Sequence, residues 1–436
     1  TATASADCDR ERRLRPKWRA SYATAVTAPY PESSGLGYRH SECAATAAVA
    51  STNSLGLIMT EMTSPLVLKS WSEALRQPEM PPQPKPTGWR VVHARHFGSL
   101  KPMHRSAVRL AMLALAGLAA PTGAWAQVGP VEMVDQFEAT SGKFAGYRRS
   151  GAKGICAEGT FVGSESGRSL SLASAFSGNP VPAIVRFSVG GANPGAPDNA
   201  RSQRNLAMQF DLPDGEVWHF GNISAPIFGA ASPEQLFGRL QSLQPDPTTK
   251  APDPAKVKAF LDANPEVLLQ GRYFASQPVP ASFATVNYWG VHGFGFTNTR
   301  GEKTWGKWVF EPVGGTQSLS DEEAKAKGPN FLFNDLRERV RSGPVSFLFN
   351  LEVAEPGDQL DRATVPLPAG RRKVTLGVLT INAVAPDGGG SCLNINFDPN
   401  RMPKGVEGAA DPTLTGRTAP YAISLARRLV EGPKQQ

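Results

Sequence analysis

Seven short runs rich in β-branched and aromatic residues recur between Gly, Pro and Asn turns, at 155–162, 183–189, 206–212, 285–297, 307–312, 345–353 and 374–381. Many short strands, each bounded by turn signals, suit a closed or strongly curled antiparallel sheet. Helical stretches fall between them, at 233–243, 254–263 and 321–340. The last opens on Asp321, Glu322 and Glu323, where carboxylates complement the positive end of a helix dipole. The pattern predicts an α+β fold, an antiparallel β-barrel with helices packed around it.

The first hundred residues carry no sustained periodicity, and stretches such as 81–86 (PPQPKP) read as loop or disorder. Met103 is followed by a basic stretch (His104, Arg105, Arg109), an apolar run at 110–120, and the small residues of Ala124-Trp125-Ala126. That is the layout of a secretory signal peptide, too short and wrongly flanked for a membrane span. The expectation is therefore a misassigned, disordered extension over 1–102, a signal peptide over 103–126, and one domain over 127–436 in the periplasm or outside the cell. About 310 residues from Gln127 onward can bury a sizeable core. The formal charge of +8 is scattered rather than clustered, which speaks against nucleic acid as a partner. Cys156 and Cys392 could pair in an oxidising compartment. Sequence alone leaves that pairing open.

Chemistry concentrates near the C-terminus, in FDPNRMPKGVEGAADPTLTGRTAPYAISLARR from Phe397 to Arg428. Tyr421 stands four residues after Arg417 and seven before Arg428. On a helix those spacings put all three on one face. A free phenol ionises near pH ~10, and an adjacent guanidinium can lower that by roughly 1–3 units. A phenolate held in this way is a good ligand for ferric iron, and Tyr is the axial ligand of the haem in catalase.

The run F-D-P-x-x-M-P-x-G-x-E followed by G-R-x-x-x-Y resembles the proximal haem segment of the catalase family. Three further segments match in order. One is Val185-Arg186-Phe187-Ser188, followed by Arg201, Arg204, Asn205, Leu206, Ala207 and Met208. The next is Asn222 with Pro226, Ile227, Phe228 and Pro233, similar to the family's distal N-x-x-P-x-F loop. The last is Asn287 to Phe294 with Gly301 and Glu302. The resemblance spans nearly all of 140–430. A short chain without a C-terminal flavodoxin-like domain points to the small, usually exported, catalase-related peroxidases. Lacking the long arm of large catalases, it implies a monomer or dimer.

That resemblance implies haem b, with Tyr421 as the iron ligand and Arg417 keeping it ionised. Arg148, Arg186 and Arg428 would pair with the haem propionates. Phe228, Leu236 and Phe237 would form apolar walls, and Ser188 and Asn222 would be the distal polar groups. The implied activity is reduction of H2O2 or organic hydroperoxides with a small electron donor; the alternative is a non-enzymatic haem sensor or carrier.

Three departures stand out. The family's distal R-x-x-H-A-K-G reads Arg148-Arg149-Ser150-Gly151-Ala152-Lys153-Gly154, with Gly151 in place of the histidine. General acid–base catalysis of that kind contributes ~10²–10⁴-fold. The expectation is slow reaction with peroxide, rescued by Gly151→His or by imidazole entering the glycine void. His219 and His292 are expected to be packed or surface residues. Asn222 lies one residue further from Pro226 than in most relatives, and Pro420 requires the last helix to begin near Arg417.

Overall fold

The computed structural model describes residues 128–432; the expected extension over 1–102 and the signal peptide over 103–126 lie outside the described residues. Eleven strands follow in chain order: β1 (Gly154–Gly163), β2 (Pro180–Val189), β3 (Arg204–Asp211), β4 (Val217–Ile223), β5 (Val279–Pro280), β6 (Tyr288–Thr297), β7 (Lys303–Pro312), β8 (Ser318–Leu319), β9 (Val345–Val353), β10 (Lys373–Val384) and β11 (Val406–Gly408). Eight of them close an antiparallel barrel in the order β1-β2-β3-β4-β6-β7-β9-β10, with β10 returning to β1 and β11 added to the edge of β6. Closure removes the free edges that so many short strands would otherwise expose.

Side-chain alternation divides the barrel wall. On β3, Leu206, Met208 and Phe210 point inward and are fully buried. They join Phe161, Phe187, Trp218, Phe220, Phe294, Trp308 and Phe349 in one core. Ring contacts there include Phe161–Phe210 at 4.8 Å and the stacked pair Phe310–Phe349 at 4.5 Å between centroids. The residues between them (Arg186 and Ser188 on β2, Asn205 and Ala207 on β3, Gly221 and Ile223 on β4) face outward beneath the helices.

The seven expected runs all lie on barrel strands, apart from Leu212, one residue past β3, and residues 285–287, of which Thr285 ends a short 3-10 turn. β4 was not anticipated: Val-Trp-His-Phe-Gly-Asn-Ile includes Gly and Asn, which strands ordinarily disfavour. The single helix expected at 321–340 is two helices, Asp321–Lys327 and Leu332–Ser342. Gly328, at φ 74°, ends the first, and Pro329 cannot continue it.

Two helices, α1 (Pro130–Ser141) and α2 (Thr418–Val430), pack over the outward face of β2–β3–β4. They are clamped together by ion pairs. Arg427 reaches Asp135 at 2.6 Å and Glu138 at 3.1 Å, while Arg149 reaches Glu138 at 2.7 Å and also pairs with Glu431. A disulfide joins Cys156 on β1 to Cys392 in the loop between β10 and β11, with Cα atoms 5.4 Å apart.

Candidate functional site

Between the outer face of β2–β3–β4 and the helices α1 and α2 lies a cavity of about 840 Å³, within the size range of cofactor and small-ligand sites. α2 starts at Thr418, so Pro420 falls in its first turn, where a missing N–H costs no helical hydrogen bond. The first backbone bond of the helix runs from Tyr421 N to Arg417 O at 3.1 Å. Arg417, Tyr421 and Arg428 then all line the cavity, as their spacing predicted.

Three arginines converge at one end. Arg148 donates to the carbonyls of Cys392 (3.0 Å) and Ile395 (2.8 Å), Arg428 to that of Leu393 (2.6 Å), and Arg186 to that of Ala152 (3.2 Å). Among the described residues, none of the three forms an ion pair with a carboxylate. Burial, with Arg428 nearby, lowers the Arg186 guanidinium to about 9. Burial, then Arg186 and Arg428, pushes Arg148 well below its usual range, and burial, then Arg149, lowers Arg428. Partly dehydrated like charges of this kind are costly unless an anion compensates them. The cluster is built to receive one.

Arg417 places its guanidinium 5.3 Å from the centroid of Phe228, a cation–π contact. Behind it stands a pair that sequence reasoning placed only as packed histidine: His292, 1% exposed, lies 2.8 Å from Asp411 through Nδ1. Thr413 donates to the same carboxylate through its hydroxyl (2.6 Å) and its N–H (2.8 Å). Burial lowers His292 to about 4, so the neutral ring donates Nδ1–H to Asp411, and its buried Nε2 has no hydrogen-bond partner among the described residues. His219 is also packed, 3% exposed and 3.0 Å from Gln209 Oε1. Both histidines are buried, in agreement with the packed alternative.

Phe228 and Leu236 line the cavity, whereas Phe237 is not among its lining residues. Met133, Val134 and Phe137 of α1, with Ile223, Phe397 and Leu425, complete the apolar wall and were not foreseen. Only the 3.6-residue period of an N-terminal helix could have signalled the first three.

The open side of the cavity differs from expectation at two positions. Asn222 borders the cavity but shares the inward face of β4 with Trp218 and Phe220. Its Oδ1 accepts from Trp308 Nε1 at 2.7 Å and its Nδ2 donates to Leu206 O at 3.0 Å, so its amide is engaged inside the barrel. Gly151 borders the cavity. A Cβ there would sit 2.8 Å from Ser188 Oγ and 3.3 Å from Asn205 Nδ2, on a backbone at φ +63° that side-chain-bearing residues rarely adopt. A side chain introduced by Gly151→His would therefore have to shift the ends of the Ser188 and Asn205 side chains. Asn205, overlooked as a site residue, lines the cavity beside it.

The family model described as "Catalase" matches residues 131–436. A "Catalase-related peroxidase" of Synechococcus elongatus is 38% identical over 322 residues, covering 72% of this chain and 95% of that protein. Another "Catalase-related peroxidase", from Mycolicibacterium paratuberculosis, is 32% identical over 305 residues, covering 69% and 94%. A crystal structure of a fungal catalase aligns with a TM-score of 0.59 at 20% identity, covering 79% of this chain and 67% of that one, a likeness of fold. With the family model matched over more than half of its length, the chain belongs to the catalase family.

Proposed function

We propose that this chain is an exported haem peroxidase of the catalase-related group, periplasmic or secreted, reducing H2O2 or an organic hydroperoxide with a small electron donor. The observation that carries this reading is the trio of guanidinium groups, unpaired with any carboxylate among the described residues, in the wall of a cavity that also presents a tyrosine.

A haem b fits those residues. Its two propionates would supply the missing anions to Arg148, Arg186 and Arg428, in the charge-assisted geometry that favours Arg over Lys. Met133, Val134, Phe228 and Leu236 offer apolar surface to a flat macrocycle. Tyr421 would hold the iron, with Arg417 adding positive charge nearby. When bound, the haem supplies the redox chemistry that acts on peroxide. Ser188 is the polar hydroxyl beside the position of the absent histidine, and the disulfide suits an oxidising compartment.

Purified ferric protein should show a Soret band and turn over H2O2 with a chromogenic donor faster than free haemin. A colourless protein from haem-supplied cells would refute the reading. Gly151 supports a second reading, a non-enzymatic haem binder, since glycine offers nothing to accept the peroxide proton. Turnover indistinguishable from haemin, with a normal Soret band, would favour that one.

A further inference from the structure

Gln203, Asn205 and Ser188 form a hydrogen-bonded row along the open side of the cavity, beside Gly151. Gln203 Nε2 donates to Asn205 Oδ1 at 2.5 Å, and Asn205 Nδ2 donates to Ser188 Oγ at 3.1 Å. The direction of the row is set from its far end. Gln270, 6% exposed, donates through Nε2 to the backbone carbonyl of Ile227 at 3.2 Å, which can only accept. The same Nε2 lies 3.5 Å from Gln203 Oε1, so that oxygen is the acceptor and the Gln203 amino group points to Asn205. Asn205 thus turns its oxygen toward Gln203 and its amino group toward Ser188, and only one of its two N–H groups is used in the bond to Ser188. Ser188 accepts from Asn205 and keeps its O–H free to donate.

We infer that Asn205 and Ser188 form a hydrogen-bond-donating cradle for the anionic form of the substrate, and that this selects acidic hydroperoxides, the peroxy acids, over H2O2. The inference rests on the peroxidase reading above. The cradle has two hydrogen-bond donors and no group that accepts a proton, because position 151 is glycine. A hydroperoxide R–O–O–H must give its proton to water, forming R–O–O⁻ and H3O⁺, before its terminal oxygen can sit there as an anion. Peroxy acids ionise more readily than H2O2, so a larger fraction arrives already charged. Asn205 then stabilises charge that develops on oxygen, as donors in an oxyanion site do.

Fluoride, an acceptor-only anion, probes the cradle without turnover. Titration of the ferric holoprotein, followed at the Soret band, should show fluoride binding at least tenfold weaker in Asn205→Leu than in wild type. Gln203→Leu, which releases the amide of Asn205 to turn its oxygen toward the cavity, should weaken it as well. Wild-type protein should react faster with peroxyacetic acid than with H2O2, at a rate that rises with pH through the ionisation of the peroxy acid. Equal fluoride affinity in wild type and both variants, or a pH-independent rate favouring H2O2, would overturn the cradle while leaving the Soret band intact. Absence of that band in wild type would instead remove the peroxidase reading and the cradle with it. If Asn205→Leu fails to fold, the Gln203→Leu titration and the wild-type pH profile still decide.

Discussion

The amide of Asn222 lies between Trp308 and Leu206, where it satisfies a buried indole N–H. Asn222→Leu should therefore destabilise the fold by about 1–3 kcal/mol, seen as a lower Tm, while haem content per chain stays at the wild-type level. Arg186 invites the opposite sign. Its charge is buried with no carboxylate partner among the described residues, so Arg186→Met should leave the apoprotein as stable or more so, and weaken haem retention by roughly 10–100-fold. The paired measurement is apoprotein Tm and the rate of haem transfer to an acceptor protein. The buried histidines govern acid stability. Both are lowered to about 4 by burial, despite the opposing pull of Asp411 on His292 and of Asp398 and Asp211 on His219; Arg417, Lys307 and Arg401 push the same way as burial. Below pH ~6.5 the unfolded chain takes up protons that the folded one refuses. Stability present above pH ~6.5 should be lost as pH falls toward about 4, by roughly 3 kcal/mol for each ring. Urea midpoints across pH 4–7 would show it, and midpoints independent of pH in that range would contradict it. The arginines and Tyr421 were legible in the sequence because their spacing on one helix, or their place in an ordered motif, fixes their direction. Asn205 and Asn222 were not. Which of them turns its amide to the cavity depends on the parity of the pleat, and a single residue of register exchanges the two faces.

At the scale of elements, the loop 391–394 carries the carbonyls that hold Arg148 and Arg428, and Cys392 ties that loop to β1. The crosslink spans 236 residues of sequence, so its loss should cost roughly 2–5 kcal/mol of stability. It should also loosen the arginine cluster. Cys392→Ser is expected to lower Tm and to speed haem loss together; a lower Tm with unchanged haem retention would separate the crosslink from the site. The pairing itself could not be read from sequence, since nothing local brings β1 near the loop between β10 and β11. Strands were the most legible elements, because aromatic and β-branched runs between turns leave little else to form. β4 escaped because His, Gly and Asn interrupt its run, and its place comes from tertiary pairing with β3. α1 escaped although Met133, Val134 and Phe137 recur on one of its faces, because that short stripe is interrupted by the charged residues that pair with Arg427 and Arg149.

For the whole molecule, the barrel acts as a wall with two distinct faces. Its inward face is filled by stacked aromatic rings, and its outward face over β2–β3–β4 carries the polar groups of the cavity. The helices α1 and α2 close that cavity and contribute part of its apolar lining. This division explains why the fold could be expected from periodicity while the open side of the site could not: the core follows from pattern, the cavity from which elements meet over it. On the proposed reading, Tyr421 would bind a porphyrin iron whose propionates would neutralise the buried arginines. The most direct measurement compares haem per chain and the Soret spectrum of wild type and Tyr421→Phe, both purified from haem-supplied cells. Wild type should carry tyrosinate-ligated ferric haem and the variant little or none, with its apoprotein unfolding unchanged. Equal haem content and identical spectra in the two proteins would contradict the account.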